Sequence, residues 1–306
     1  MSFGVLFNIP ALYAESNLDR ATARLQTDYQ QLSSGQRVNS AADDPAALSM
    51  IDGMQANVAS LTQSITNEEE GVSMLQTADG ALSQVTNMLE RAITLATEAS
   101  NGTLNSTQER AADQEYQSLL DEIDNIGLTT TYNQLPVFGN GSSNIISLFS
   151  SDSSKNGTSE ISLNFAPVSA STLGDEGGKI KATPANGNTP ATIGYENGSS
   201  VNLANTNLLT QSAARTALNS LNAAISAVAA QDGYIGSQIN LTGAQEQALQ
   251  TQEDATLNAL DAIDAVDYAQ VTSDMSKNQI MMQMAIEALA QDDQMQQLVL
   301  KLLPSS

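Results

Sequence analysis

The chain has 306 residues, with 34 Asp and Glu against 11 Lys and Arg and a net charge of −23. It contains no Cys, His or Trp, which excludes disulfide frameworks, thiol nucleophiles, most zinc sites and every dyad or triad built on histidine. The acidic balance argues against nucleic acid, whose phosphates need a basic face, and with aromatics at only 4% aliphatic side chains and Met must carry the packing, as in helix bundles and coiled coils.

No apolar run reaches the ~18 residues that span a bilayer. The opening "MSFGVLFNIPALYA" lacks a basic segment and is interrupted by Asn8 and Pro10, so it is read as the apolar start of a packing helix and not as a cleaved signal. Ala11, Ala14, Leu18, Ala21, Leu25 and Leu32 follow at helical spacing, with one gap at Asp28. Gly35 is a natural helix stop. Asp44-Pro45 is a natural restart, with Asp44 as cap and Pro45 at the first helical position. Between them, "LSSGQRVNSAADD" (Leu32–Asp44) is a polar corner. Asp43 and Asp44 have neither a partner acid nor a metal ligand in the pattern, so the corner is read as a turn without catalysis.

A second helix is predicted from Ala47 to Ala96 on Ile51, Met54, Val58, Leu61, Leu75, Leu82, Leu89 and others, a near-heptad rhythm roughly 75 Å long at 1.5 Å per residue. Leu61, Leu75 and Leu89 mark its buried seam. "NEEEG" (Asn67–Gly71) and "ADG" (Ala78–Gly80) interrupt the rhythm, and Glu68–Glu70 read as a solvated face. Ser106 and Glu109 form a capping-box pattern for a third helix, which Gly127 is expected to end. From about Gly139 to Thr206 the chain turns rich in Ser, Asn, Gly and Thr. "NIISLFS", "EISLNFA" and "SVNLA" read there as strands. "DSSKNGTSE" (Asp152–Glu160) lacks the final Glu of a calcium loop and reads as a surface turn. Asn101, Asn140, Asn156 and Asn197 sit in Asn-Gly turns. Helical periodicity then runs from Leu209 to Leu303, and half of the ten Met fall between Met275 and Met295, as adaptable packing material.

The expected fold is mainly α: long antiparallel helices in a coiled-coil-like bundle formed by both chain ends, with a small β-hairpin region inserted in the middle. The two chain ends are expected to pack on each other, with the insert at the far tip. No catalytic residue, metal site or cofactor is expected.

Four blocks resemble bacterial flagellin: "LSSGQRVNSAADD", "NEEEGVSMLQTADGAL" (Asn67–Leu82), "EIDNIGLTTTYN" (Glu122–Asn133) and "IDAVDYAQVTSDMSKNQIMMQ" (Ile263–Gln283). Gln134 stands where that family has a Gly. The resemblance implies a structural, non-enzymatic subunit that polymerises into the flagellar filament for swimming; the hook–filament junction protein, which shares the N-terminal block, is the alternative. It implies that residues 1–40 and 264–306 form a terminal domain, 41–140 and 208–263 an outer helical bundle and 141–207 a small solvent-facing β-region, with a domain joint at Ser33, Ser34, Gly35, Arg37, Asn39, Asp43 and Asp44. It also implies export to the extracellular flagellum without a cleaved signal peptide. The implied partners are other copies of the chain, a secretion chaperone at the C-terminus, and the filament cap and hook-junction proteins. A host innate immune receptor is implied at Arg91, Leu95 and Glu115, with no nucleic acid and no membrane insertion.

Overall fold

The computed structural model describes residues 9–139, 144–150, 159–173, 179–183, 192–196 and 202–302. The sequence readings at Met1–Asn8, at 152–158 and at Asn140, Asn156 and Asn197 lie outside these residues. Five helices dominate: α1 (Ile9–Ser34), α2 (Pro45–Ser100), α3 (Ser106–Thr129), α4 (Gln211–Asp264) and α5 (Tyr268–Leu302). Between α3 and α4 lie three antiparallel pairs: β1 (Thr131–Tyr132) with β2 (Leu135–Pro136), β3 (Asn144–Ser150) with β4 (Ser159–Phe165), and β5 (Lys179–Thr183) with β6 (Thr192–Glu196). The chain divides into two compact units. A terminal unit takes the residues up to Ala56 and from Ala255 onward; a second unit takes Asn57–Asp254.

In the second unit, α2 and α4 meet in antiparallel order. The Gln211 amide donates to Ser100 O at 3.0 Å, Asp232 meets Asp79, Glu246 faces Glu68, and the Thr62 hydroxyl donates to Glu253 at 2.6 Å. The seam residues Leu61, Leu75, Leu82 and Leu89 are all fully buried, and each such Leu contributes about 1.5–3 kcal/mol of burial. Neither Asn67–Gly71 nor Ala78–Gly80 breaks α2, which runs through both without interruption. The heptad pattern outweighs the local cost of isolated glycines once the seam is covered.

Helix α3 folds back on α2, and its cap differs from the expected one. Asn105, not Ser106, is the N-cap: its side-chain oxygen accepts from the amides of Thr107 and Gln108 at 3.0 Å, and Gln108 Oε1 accepts from the Asn105 amide. The box is shifted by one residue, because Asn caps as well as Ser and Asn105 holds the extended backbone a cap requires. Gly127 does not end the helix either. α3 continues to Thr129, and a Cβ at Gly127 would collide with the carbonyl oxygen of Val168. The glycine is there for close approach of the 166–173 segment.

That segment and the 206–208 stretch are tied down by acids and an amide of α3. Asp124 accepts from Ala170 N at 2.5 Å, Asp113 accepts from Leu208 N at 2.7 Å, and the Gln117 amide donates to Thr206 O at 3.0 Å. The Tyr116 hydroxyl pairs with the Thr206 hydroxyl, and burial pushes the phenol up to about 12. The β3–β4 pair is the one expected from "NIISLFS" and "EISLNFA", running from Asn144 opposite Phe165 to Ser150 opposite Ser159. Ile161, Leu163 and Phe165 enter the same core as α2 and α3, and Phe165 meets Phe138 edge-on. The described part of "SVNLA", Asn202 to Ala204, is not a strand. Leu203–Asn205 forms one 3-10 turn that buries Leu203 and bonds to Leu173 O and Ala170 O. Burying that one Leu needs a turn inward, which alternation cannot signal.

Two positions carry measurable consequences. The β1–β2 hairpin turns on Asn133 (φ +47°) and Gln134 (φ +66°), both left-handed, as a two-residue hairpin turn requires. A non-glycine residue there costs roughly 1–2 kcal/mol. Gln134→Gly is therefore expected to raise stability by up to ~1 kcal/mol after the entropy cost of glycine, seen as a higher urea midpoint; an unchanged or lower midpoint contradicts the strain.

Glu68 corrects the expectation of a solvated face, because its side chain is fully buried. Neither carboxylate oxygen has a hydrogen-bond partner in bonding geometry. Burial pushes its pKa above the ordinary 4.5, the Ser150 side chain offsets part of that rise, and Glu246 adds to it. A carboxyl raised in the folded state favours folding while it is protonated, and this contribution is lost as pH climbs from 4.5 through the raised value. Glu68→Gln should accordingly be more stable than the parent at pH ~8, with the gap closing as pH falls toward ~4. Urea unfolding of both proteins across that range tests it, and a gap that does not change with pH refutes it.

Candidate functional site

The polar corner that joins α1 to α2 lies in the terminal unit and is held mainly by side chains bonded to backbone groups. Gly35 takes φ +73° at the end of α1, where a Cβ would press on the Tyr268 hydroxyl. Ser33 lies exposed in the last turn of α1, and Ser34 Oγ accepts from Gln36 N at 3.1 Å. The Asn39 amide group donates to Gln36 O at 3.1 Å. Asp43 Oδ2 accepts from Asn39 N, Ser40 N and the Ser40 hydroxyl at 2.9–3.2 Å. Asp44 Oδ1 accepts from Ala46 N and Ala47 N at 3.1 and 3.0 Å, capping α2. The two neighbouring acids thus do separate jobs: one closes the turn and the other starts the helix.

A second corner, between α4 and α5, is clipped to the first. Gln36 pairs antiparallel with Ala265; Arg37 N donates to Asp264 O at 2.6 Å, and Val266 N donates to Gly35 O at 3.2 Å. Arg37 Nε donates to Ile263 O at 2.8 Å. That carbonyl lies in the last turn of α4, where carbonyls lack intrahelical donors and the helix dipole favours a cation. Beneath the clip, Val38, Ala47 and Ile51 are buried with Leu48, Leu260 and Ile263 packed around them. Asp267 then caps α5, accepting from Ala269 N and Gln270 N, as Asp44 caps α2. The sequence reading ran helical periodicity over Leu209–Leu303 and, although it set a domain boundary at 263/264, named no helix break there; the break contains no Gly or Pro. The legible signal was Asp267, a capping residue directly before an apolar periodic run.

From the clip, α1 and α5 run antiparallel. The gap in the α1 pattern at Asp28 has a reason: its carboxylate accepts from the buried Asn278 side chain at 2.8 Å, and the Gln279 amide reaches the Tyr29 hydroxyl one residue on. Ala21, Leu25 and Ala285 are buried along this pair, yet Tyr13, Ile280, Met284 and Met295 stay exposed. Between the helices lies a groove of about 580 Å³ lined by Tyr13, Asn17, Arg20, Arg24, Met281 and Met284, among others.

In the second unit, Arg91 and Glu115 form an exposed ion pair between α2 and α3, with nitrogen–oxygen distances of 2.6 and 2.8 Å. Leu95 is not beside them at the surface; it is 4% exposed and belongs to the core. Among the described residues no cluster of His, Cys, Asp or Glu could hold a metal ion, and no helix is long and apolar enough to cross a membrane.

The family profile described as the bacterial flagellin N-terminal helical region matches residues 5–142, and the one for the C-terminal helical region matches residues 218–303. The two matches together take in most of the chain. It belongs to the bacterial flagellin family. This flagellin is 36% identical to polar flagellin F of Vibrio parahaemolyticus over 132 residues, 43% of this chain and 35% of that protein. It is 31% identical to a flagellin of Escherichia coli over 186 residues, 61% of this chain and 33% of that protein. The matched stretches thus span about a third of the length of these relatives. A structure titled as a flagellar hook-associated protein of Vibrio parahaemolyticus shares the fold, with a TM-score of 0.51 and 12% identity, covering 73% of this chain and all of that one.

The clip has a local test. Arg37→Ala removes a charge-assisted hydrogen bond worth ~1.5–3 kcal/mol. Amide exchange at Val38 and Val266 is expected to speed up by about tenfold or more, since ~1.4 kcal/mol is a factor of ten, while amides around Leu75 and Leu82 keep their protection. Equal protection at Val38 and Val266 in the variant would show that the guanidinium does not hold the corners together.

Proposed function

We propose that this flagellin is the structural subunit that polymerises into the bacterial flagellar filament and so serves swimming. The observation that carries the reading is the thin core of the terminal unit. Among the described residues, the apolar side chains that α1 and α5 bury well are Ala21, Leu25 and Ala285, while Tyr13, Ile280, Met284 and Met295 face outward. Long helices hold their shape through tertiary cover of an apolar face. Exposed apolar surface on such helices calls for a partner, and in a homopolymer that partner is another copy. Family membership supports the same reading.

On this reading, residues 1–40 and 264–306 supply the self-contact in the filament core, 41–140 and 208–263 form the outer helical domain, and 141–207 carry the solvent-facing surface. The corner residues Ser33 to Asp44 act as the joint of the terminal segments, and no chemistry is assigned to them. The protein works outside the cell after export without a cleaved signal peptide. A secretion chaperone takes the C-terminal segment, and cap and hook-junction proteins meet the filament ends. The exposed Arg91–Glu115 pair is the part of the outer domain available to a host innate receptor. A hook–filament junction role is the weaker alternative, because the curated relatives described above carry the name flagellin.

Deletion of residues 1–35 or of 270–306 should leave a soluble, partly helical monomer that no longer pellets, whereas the full chain forms long filaments in electron micrographs. A truncated chain that still builds filaments, or a full chain that stops at short rings, overturns the filament reading.

A further inference from the structure

We propose that the methionines of α5 are an oxidation site through which a hydroperoxide controls self-contact of this chain. The inference rests on the filament reading for its consequence, but the site itself follows from composition and exposure. With no Cys, Trp or His in the chain, the Met thioether is the group a two-electron oxidant attacks first. The ten Met are unevenly placed. Met275, Met281, Met282, Met284 and Met295 all lie on α5. Met284 is 65% and Met295 63% exposed, and Met275, Met281 and Met282 are half-buried. Met74, in the core of the second unit, is 4% exposed.

The step balances without a cofactor. The thioether sulfur gives an electron pair to the peroxide's terminal oxygen, the O–O bond breaks, a sulfoxide forms, and the other peroxide oxygen leaves as water or alcohol after taking up a proton. Two thiols can reverse it, returning the thioether with one disulfide and one water. The product is polar where the parent was apolar, and this disrupts Met-rich interfaces. Here the setting amplifies the change. Met281 and Met284 line the α1–α5 groove together with Arg20 and Arg24. A sulfoxide oxygen is a hydrogen-bond acceptor, and two guanidinium groups in the same groove are its donors. Oxidation therefore converts an apolar, adaptable contact strip into a polar one anchored by arginine. Copies already joined through this strip have it covered, so free chains are the sensitive form.

The experiment treats the full-length monomer with hydrogen peroxide, locates sulfoxides by mass spectrometry and measures the critical concentration for pelleting. Sulfoxide should form at Met284 and Met295 well before Met74, and the critical concentration should rise about tenfold or more, ~1.4 kcal/mol per added subunit. A variant carrying Met275→Leu, Met281→Leu, Met282→Leu, Met284→Leu and Met295→Leu keeps the apolar volume. It should pellet like the untreated parent and go on doing so after peroxide. Preformed filaments should oxidise more slowly at Met284 than free chains. The proposal is overturned if the oxidised parent pellets normally, or if the Leu variant loses pelleting to the same extent on peroxide treatment. A parent that never pellets, even untreated, defeats the filament reading instead. The oxidation site then stands or falls on whether Met284 outpaces Met74.

Discussion

No helix of this chain can cover its own apolar face, and the long helices α1 and α2 both depend on segments far away in sequence. That constraint organises both units. In the second unit the seam of α2 is closed by α4, with Thr62 reaching Glu253 and Ser100 reaching Gln211. In the terminal unit α1 is closed by α5, with Asp28 reaching Asn278. The corners between these helices are pinned to each other from Gly35–Val38 to Ile263–Val266. The polar residues of the first corner are therefore conformational. They are spent on capping, turning and bonding to carbonyls at a helix end, and none has a free carboxylate pair poised for proton transfer.

The two units meet the constraint to different degrees. The second adds α3, the β3–β4 pair and the 166–173 segment, and its Leu-rich seam is fully buried. The terminal unit has a small core under the corner clip and, beyond it, only α1 against α5, so much of its apolar surface remains open. A surface of this kind is costly in a monomer and useful in a polymer. The acidic character of the chain, −23 overall, works in the opposite direction by keeping separate copies apart at low salt.

What was legible in the sequence was what depends on near neighbours. The 3.6-residue rhythm marked the helices, Gly35 marked the end of α1, and Asp44-Pro45 marked the start of α2. Alternation in "NIISLFS" and "EISLNFA" marked β3 and β4. The failures share one cause. Gly127 looks like a helix stop until Val168 is known to press against it. Glu68 looks solvated in an acidic run until Ser150 and α4 cover it. "SVNLA" looks extended until Leu203 turns inward to the core. The partner of the polar corner lies 226 residues away, and no local pattern names it. β5 and β6 sit in Gly- and Asn-rich sequence whose short alternations are too weak to separate from turns.

The antiparallel pairing of distant helices also fixes the order in which the chain can become native. In a chain that becomes available from its N-terminus, the seam of α2 finds no cover until the α4 sequence has emerged. The corner clip must wait for Ile263–Val266, and α1 must wait for α5 after that. Contacts this remote in sequence form late, because closing a long loop costs entropy before any contact is gained. The chain thus remains short of its native state until nearly all of it is free to pair.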